Sequence, residues 1–410
     1  MELLRLAWKN LWRNRRRTLI TLAAISLSVM LTQASHNLSF GVYAQMIDSG
    51  VRAGSGHLTV YRGDYARSRD EELSFDPGTL VEKIAAFDGV ARVLPRVYLP
   101  ALAQSSRESR GVLVTGVDPQ AETGINPFLK KIVAGEMIGS IDGRDALLGS
   151  RLLKELKISI GSKFVVTLQG PDGDLLSELL RVRGSVETGI KDLDGSLVMV
   201  GRQRAAAMAG IPGRIHELAV ILQGRAEEER VRPLLEALLP PGGEVRVLSW
   251  EEAMPNLANA IKFDYASQRV IFIIIMLIVT IGVVNTLLMS VMERIREFGV
   301  ILALGATPGR LRRMVLAEAL VLGLVGMTLG TLLGAALTWY LVEQGIDLRS
   351  LISETLEFGG VVFDPVIRAA WDLGYMVRIA LYVLALSLLA SLYPARKAAR
   401  IAPAEAMRHV

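Results

Sequence analysis

The 410-residue sequence is 51% hydrophobic, carries a formal net charge of +5 and contains no cysteine. A chain of this length would ordinarily make two or three soluble domains, but its apolar residues come in long runs, which points to a membrane protein. The absence of cysteine excludes disulfide staples, and the basic residues cluster beside the apolar runs, as a membrane surface requires and a nucleic-acid partner would not.

Residues 1–17 hold six Lys/Arg, and Leu4, Ala7, Trp8 and Leu11 place an apolar stripe on this basic helix, suiting it to lie in the membrane surface. The first span is expected at 18–41. A cleaved signal peptide, with Thr32-Gln-Ala34 as its cleavage site, is the rival reading. The apolar stretch at 18–35 is long for that, so an uncleaved anchor is expected. Gln33, Ser35, His36 and Asn37 then form a polar patch that marks the interface.

Residues 42–269 are predicted to form a large extracytoplasmic α/β domain. His57–Arg62 reads as a strand, Asp76-Pro77 caps a helix to Phe87, and Ala91–Tyr98 alternates like a second strand. A similar succession returns as strand Glu217–Leu222, helix Ala226–Leu239 and strand Glu244–Leu248. These passages suggest a split α/β subdomain with an insertion at about 120–212, which holds a helix at Asp145–Leu156 and strands at Lys163–Leu168, Leu179–Glu187 and Ser196–Val200. Ser249-Trp-Glu-Glu252 is a capping box, after which Pro255 is the one weak stop, so a single helix over 250–292 would leave a stalk at 250–269.

The second span, 270–292, lacks charge throughout, and so does Ala319–Val342 within the third, 316–342. Asn285 and Thr286 are expected to bond across helices, and Gly326, Gly330 and Gly334 to admit a second helix backbone closely. A short loop, 343–373, precedes the fourth span at 374–395, where Arg378 must snorkel to an interface. Segments 1–17, 293–315 and 396–410 carry six, five and four Lys/Arg and share a side by helix parity, so both termini are predicted to be cytoplasmic.

Between the second and third spans lies Met292–Arg313, MERIREFGVILALGATPGRLRR. Phe298, Ile301 and Leu302 give a short helix one apolar stripe, Gly305 stops it, and Thr307 caps a new helix with Pro308 at its first position. Such a helix, basic on its outer side across the mouth of two spans, is a surface to be pushed on.

The run E-R-x-R-E-F-G-x-x-x-A-L-G-A-T at Glu293–Thr307 resembles the coupling-helix signature of the FtsX/MacB/Lol permease superfamily. Tyr393-Pro-Ala-Arg-Lys-Ala-Ala-Arg-Ile-Ala-Pro-Ala-Glu-Ala-Met-Arg408 is similar to its C-terminal motif, and Leu147-Leu-Gly-Ser-Arg-Leu-Leu…Ile160-Gly-Ser-Lys-Phe to a phrase of Lol and MacB periplasmic domains. The resemblance implies an α-helical membrane protein with four transmembrane helices plus a large extracytoplasmic α/β domain, split into a MacB-like porter and a small β-rich subdomain. It implies an inner-membrane location, two copies of a separate ABC ATPase subunit that bind ATP and Mg, and a second permease copy or paralogue. Nucleotide-driven closure of the ATPases would work on Glu293, Arg294, Arg296, Glu297, Phe298, Gly299, Leu304, Gly305, Ala306 and Thr307.

By length and layout the chain is most similar to the lipoprotein-releasing permeases, which implies lipoprotein extraction toward the outer membrane and a periplasmic lipoprotein carrier. An acylated cargo entering between the first and second spans would meet Leu31, Leu38 and Phe40 on one and Phe263, Ile271 and Phe272 on the other. The hairpin Gln169-Gly-Pro-Asp-Gly-Asp-Leu-Leu176 is short where a carrier-recruiting loop would stand. That leaves open a partner subunit lacking the loop, another cargo, or a signalling module acting on a periplasmic enzyme. No GxxxxGK[ST] loop, HExxH or G-x-S-x-G elbow occurs and the four histidines are scattered, so no enzyme, metal site or cofactor is expected here.

Overall fold

The structure, a computed structural model, describes residues 2–170, 173–240, 242–348, 357–358, 361–362 and 366–400. It falls into two compact units, Met1–Ala44 with Lys262–Ser350 and Val366–Val410, and Gln45–Ile261 with Leu351–Pro365. The expected C-terminal tail beyond Arg400, most of the loop 349–365 and the tip of the 169–176 hairpin lie outside the described residues.

In the first unit, α1 (Glu2–Leu11) passes through one turn of 3₁₀ helix into α2 (Arg15–Ala53). Then come α3 (Pro255–Glu293), the short α4 (Ile295–Ala303), α5 (Pro308–Glu343) and α6 (Leu373–Ala399). Among the described residues, α2, α3, α5 and α6 are the helices long and apolar enough to cross a membrane. The helix that holds the first expected span, 18–41, runs on to Ala53, and the helix that holds the third begins at Pro308. On α1, Ala7 and Leu11 are buried while Trp8 is exposed, so the apolar stripe is turned partly inward.

One apolar cluster joins the four long helices, with Ile25 and Val29 of α2, Met276, Val279, Val283 and Leu287 of α3, Leu322 of α5, and Ile379 and Val383 of α6. The α5 glycines pack within this chain. A Cβ on Gly326, Gly330 or Gly334 would fall 2.7, 2.6 and 2.7 Å from Ile25, Val29 and Gln33. Thr286 bonds Thr21 at 2.6 Å as expected. Of the polar patch on α2, Gln33 and Asn37 are buried inside the bundle and His36 is half-buried, while Ser35 is exposed. Gln33 donates to the Met376 carbonyl at 3.0 Å, Asn37 to Thr338 at 3.1 Å, and His36 meets Asp372 at 3.1 Å.

The second unit is built on a ten-stranded sheet: β1 (Leu58–Arg62), β2 (Val90–Gln104), β3 (Ser109–Val117), β4 (Ile132–Gly135), β5 (Asp145–Gly149), β6 (Lys163–Gln169), β7 (Leu175–Val186), β8 (Leu197–Gly201), β9 (Glu217–Leu222) and β10 (Val245–Ser249). They run in the order β10-β1-β9-β2-β3-β8-β5-β7-β4, with β6 against β2 and β7. The expected insertion is continuous with the rest because β2 belongs to both parts. Its first half, to Arg96, pairs with β9, and its second, from Val97, pairs with β3. The parts therefore divide within β2, well before residue 120.

Three local expectations need correction. Residues 145–149 are strand β5, not the start of a helix. Ala146, Leu147 and Leu148 are all buried between β7 and β8, and a strand buried on both faces has no period-two signature. Asp76 accepts from the Gly78 N–H in a turn and caps nothing, and that helix spans only Leu80–Ala85. The Ser249–Glu252 capping box forms with both its bonds, but its helix is Trp250–Ala253. Met254 leaves helical geometry, and Pro255 starts α3. No break occurs near Asp264, so α3 measures about 58 Å at about 1.5 Å per residue over its 39 residues.

Candidate coupling site

The charged turn between α3 and α5 is held by ion pairs and one apolar cluster. Phe298 is buried with Val291, Leu311, Val315, Ala395 and Ala398, and Ile301 and Leu302 pack against them. The predicted stripe on α4 is therefore what seats it. Ala395 and Ala398 belong to the described half of the C-terminal motif, so two signatures roughly a hundred positions apart in the sequence meet in one contact.

Arg294 is the anchor. Its guanidinium donates to Glu318 of α5 at 2.8 Å and to Glu297 at 3.1 Å, and lies over the Phe298 ring at 5.1 Å. Glu318 also accepts from Asn10 of α1 at 2.7 Å. Both sides of the Arg294–Glu318 pair are withdrawn from solvent, at 9% and 2% exposure, and a buried carboxylate without its cation would be strongly unfavourable. Glu318 thus ties α4, α5 and α1 to one point.

The acids of the signature face their own chain. Glu297 takes a hydrogen bond from Arg13 at 2.5 Å and Glu293 one from Arg17 at 2.7 Å. These bonds hold both carboxyls below the usual carboxylate range. Pairs this exposed contribute little stability each, but together they orient the basic N-terminal segment against the turn. Sequence reasoning missed these partners, because Arg13 and Arg17 read only as membrane-surface charges.

The outward face is different. Arg296, Val300, Leu304, Gly305, Thr307 and Arg310 are exposed, Leu304 by 82%, whereas Arg294, Phe298 and Gly299 are buried and Ala306 is half-buried. The corner is a Schellman motif: Gly305 N–H donates to the Leu302 carbonyl at 3.0 Å and Ala306 N–H to that of Ile301 at 3.2 Å. Gly305 sits at φ +89°, a conformation that glycine adopts without strain. Thr307 occupies the N-cap position with Pro308 next, but its side chain makes no capping bond. Beside the corner is a shallow cavity of about 420 Å³, lined by Leu6, Ile301, Leu304, Gly305, Ala306, Arg310, Leu311 and Met314. The exposed Leu304 thus projects beside a mostly apolar recess that carries one cation, Arg310.

The six proposed cargo residues are not equivalent. Leu31, Phe263 and Ile271 are exposed, by 49%, 76% and 57%. Leu38, Phe40 and Phe272 are half-buried, and Phe272 packs against the membrane cluster. Near their level α2 and α3 are tied together, as Gln268 donates to Ser39 at 2.8 Å and to Asp264 at 2.6 Å, and Tyr43 donates to Asp264. The 169–175 hairpin closes tightly, with Gly170 N–H bonded to the Asp174 carbonyl at 2.7 Å.

Residues 18–238 match the family model described as MacB-like periplasmic core domain, and 269–403 match that of the FtsX-like permease C-terminal. The lipoprotein-releasing system transmembrane protein LolC of Neisseria meningitidis serogroup B is 27% identical over 334 residues, 78% of this chain and 79% of that protein. The macrolide export ATP-binding/permease protein MacB of Nitrosomonas europaea is 24% identical, across 99% of this chain and 59% of its own length. The ABC transporter permease YknZ of Bacillus subtilis is 24% identical, across 100% of this chain and 99% of that one. Among solved structures, the periplasmic region of MacB from Actinobacillus actinomycetemcomitans aligns with 52% of this chain and 99% of its own, at 14% identity and a TM-score of 0.36.

Proposed function

Since the chain belongs to the FtsX/MacB/Lol superfamily of ABC transporter permeases, we propose that it is the permease subunit that releases lipoproteins from the inner membrane toward the outer membrane. Two ATPase subunits would bind ATP and Mg and close on α4, and the large domain would lie in the periplasm with both termini in the cytoplasm. The relatives named as lipoprotein-releasing proteins support this cargo.

One observation carries the mechanical part. The exposed Leu304–Gly305 corner is fixed through Arg294 to Glu318, so a push at the corner is delivered to α5 and α1 without being absorbed in a loose loop. Because α3 is unbroken to Pro255, the same displacement reaches the outer end of the second span, where Phe263 and Ile271 stand exposed. A lipid chain gains about 0.8 kcal/mol per buried CH₂, but the bilayer already provides that burial, so a cargo held there can be expelled with modest work.

The test uses purified chain with and without its ATPase. The chain alone is expected to hydrolyse no ATP. With the partner, Leu304→Asp should abolish cargo release while leaving the internal pairs of Glu293 and Glu297 intact. Normal release by Leu304→Asp would remove the coupling reading. A second reading, a transporter of other cargo or a signalling module, draws on the tight 169–175 hairpin, which leaves little loop with which to recruit a carrier.

A further inference from the structure

Residues 1–17 carry six cations, and the structure divides them. Arg13 and Arg17 pair with Glu297 and Glu293 of the coupling turn. Arg5, Lys9, Arg15 and Arg16 are exposed, and none of these has a carboxylate partner among the described residues. Large apolar side chains stand close by. On α2, Leu19 follows Arg15 and Ile20 follows Arg16 four positions later, and these two are 52% and 71% exposed. Each cation is therefore separated from its apolar neighbour by about 6 Å along the helix axis, at about 1.5 Å per residue. That step from charge to hydrocarbon marks the level at which a bilayer surface crosses α2.

The turn between α1 and α2 brings α1 back to this level. Thr18 donates to the carbonyl of Leu11, seven positions earlier, at 2.5 Å, which a straight helix would forbid. On α1, Arg5 and Lys9 are four positions apart and share one flank. With Leu6 and Trp8 they line a shallow hollow of about 370 Å³. Trp8 is exposed and meets Trp12 edge-on, with ring centroids 5.8 Å apart. The other side of the helix is fastened. Ala7 and Leu11 are buried, and Asn10 donates to Glu318, the partner of Arg294. Leu6 also lines the recess beside Leu304. One short helix thus turns two cations and an indole outward and touches the coupling turn with its inner side.

We propose that the hollow on α1 holds the headgroup of an anionic phospholipid, with its phosphate between Arg5 and Lys9 and its first acyl carbons against Leu6 and Trp8, and that this lipid steadies the coupling corner through Leu6 and Asn10. The second part rests on the coupling reading; the first does not. Charge selects the lipid class. A zwitterionic headgroup carries an ammonium beside its phosphate, which two unpaired cations repel, whereas phosphatidylglycerol carries the phosphate alone. A soluble anion would leave Leu6 and Trp8 uncovered. An acidic protein segment has no use for a hollow at the level where Leu19 and Ile20 enter hydrocarbon.

The test uses full-length chain with its ATPase, reconstituted in phosphatidylcholine vesicles with or without phosphatidylglycerol, and a photoactivatable analogue of each lipid. Peptide mapping should find α1 labelled by the phosphatidylglycerol probe in preference to the phosphatidylcholine probe. Arg5→Gln should lower that labelling about fivefold and Arg5→Gln/Lys9→Gln about twenty-five-fold, the effect of one and of two cations at an anionic surface. Lys83→Gln/Arg92→Gln, which removes two exposed cations from the external domain, should leave it unchanged. Inorganic phosphate should not compete. No labelling of α1, equal labelling by both probes, indifference to Arg5→Gln/Lys9→Gln, or displacement by inorganic phosphate would overturn the lipid site. ATP hydrolysis in the same vesicles tests the steadying role, since phosphatidylglycerol should raise it for the wild type and not for Arg5→Gln/Lys9→Gln. Equal wild-type rates with and without phosphatidylglycerol would overturn that role and leave the site standing. If the wild type binds no ATPase, the permease reading fails instead, and the labelling of α1 is unaffected.

Discussion

Arg96 and His216 show how single buried side chains are fixed in the external domain. Arg96 is buried, donating to Glu122 at 2.6 and 3.0 Å, while Glu217 accepts from Tyr61 at 2.5 Å and from Tyr98 at 3.1 Å. Arg96 is also the last residue of the first half of β2, so this network sits at the division between the two parts of the sheet. Next to Glu217, His216 is fully buried, stacked on Tyr65 with ring centroids 5.2 Å apart. Its Nδ1 accepts from the Tyr98 N–H at 3.1 Å and its Nε2 meets the Glu71 carbonyl at 3.0 Å, which requires the neutral Nε2–H tautomer. Burial holds the imidazole below its ordinary range, against the raising effect of the Glu71 carbonyl, with Arg214 adding to the lowering and Glu217 opposing it. The unfolded chain therefore binds this proton first as pH falls. Stability from His216 is fully present above about pH 6.5 and is lost below it, by at most about 1.4 kcal/mol per pH unit. Unfolding of the full chain between pH 5 and 8 should show a shallower acid slope in His216→Gln, and equal slopes would mean that the ring titrates normally.

Among the elements, the α2–α5 contact is decided by glycines. A leucine at Gly330 would put its Cβ 2.6 Å from Val29 and 2.7 Å from the Ser26 carbonyl, and backbone cannot yield as a flexible side chain can. Gly330→Leu is expected to deplete folded permease from membranes severely, while Leu333→Ala, on the exposed face, should leave its amount near normal; comparable amounts of the two would show that the helices separate freely. This pairing was half legible in the sequence, since the i, i+4, i+8 glycines announced a close neighbour but could not say which. The coupling turn was more legible, because Phe298, Ile301 and Leu302, the Gly305 stop and Pro308 are all local signals. Its ion pairs were not: Arg13 lies far from Glu297 in sequence, and nothing in either segment names the other. In the external domain the strands near β1, β9 and β10 showed themselves by alternation. Strand β5, buried on both faces, could not be told from a helix start, and the shared β2 hid the true junction because one continuous strand carries no boundary signal.

At the scale of the whole molecule, function depends on which side of the membrane each segment occupies, and this follows from charge. Segments 1–17 and 293–315 carry six and five Lys/Arg, and Arg13–Glu297 and Arg17–Glu293 join them directly, so they must share a face. Moving segment 1–17 to the opposite face would break the Arg13–Glu297 and Arg17–Glu293 pairs and the Asn10 bond to Glu318. In the proposed topology, the positive-inside rule gives both segments the cytoplasmic face, and helix parity places residues 45–261 outside. Single cysteines in the cysteine-free chain can test this with a membrane-impermeant thiol reagent on intact spheroplasts. Arg310→Cys, Arg16→Cys and Arg400→Cys should react only after lysis, while Ser106→Cys and Glu229→Cys, exposed in the external domain, should react before it. Labelling of Arg310→Cys in intact cells would put the Leu304 corner out of reach of any cytoplasmic ATPase. The coupling reading would then fall, although the fold and the family assignment would both stand.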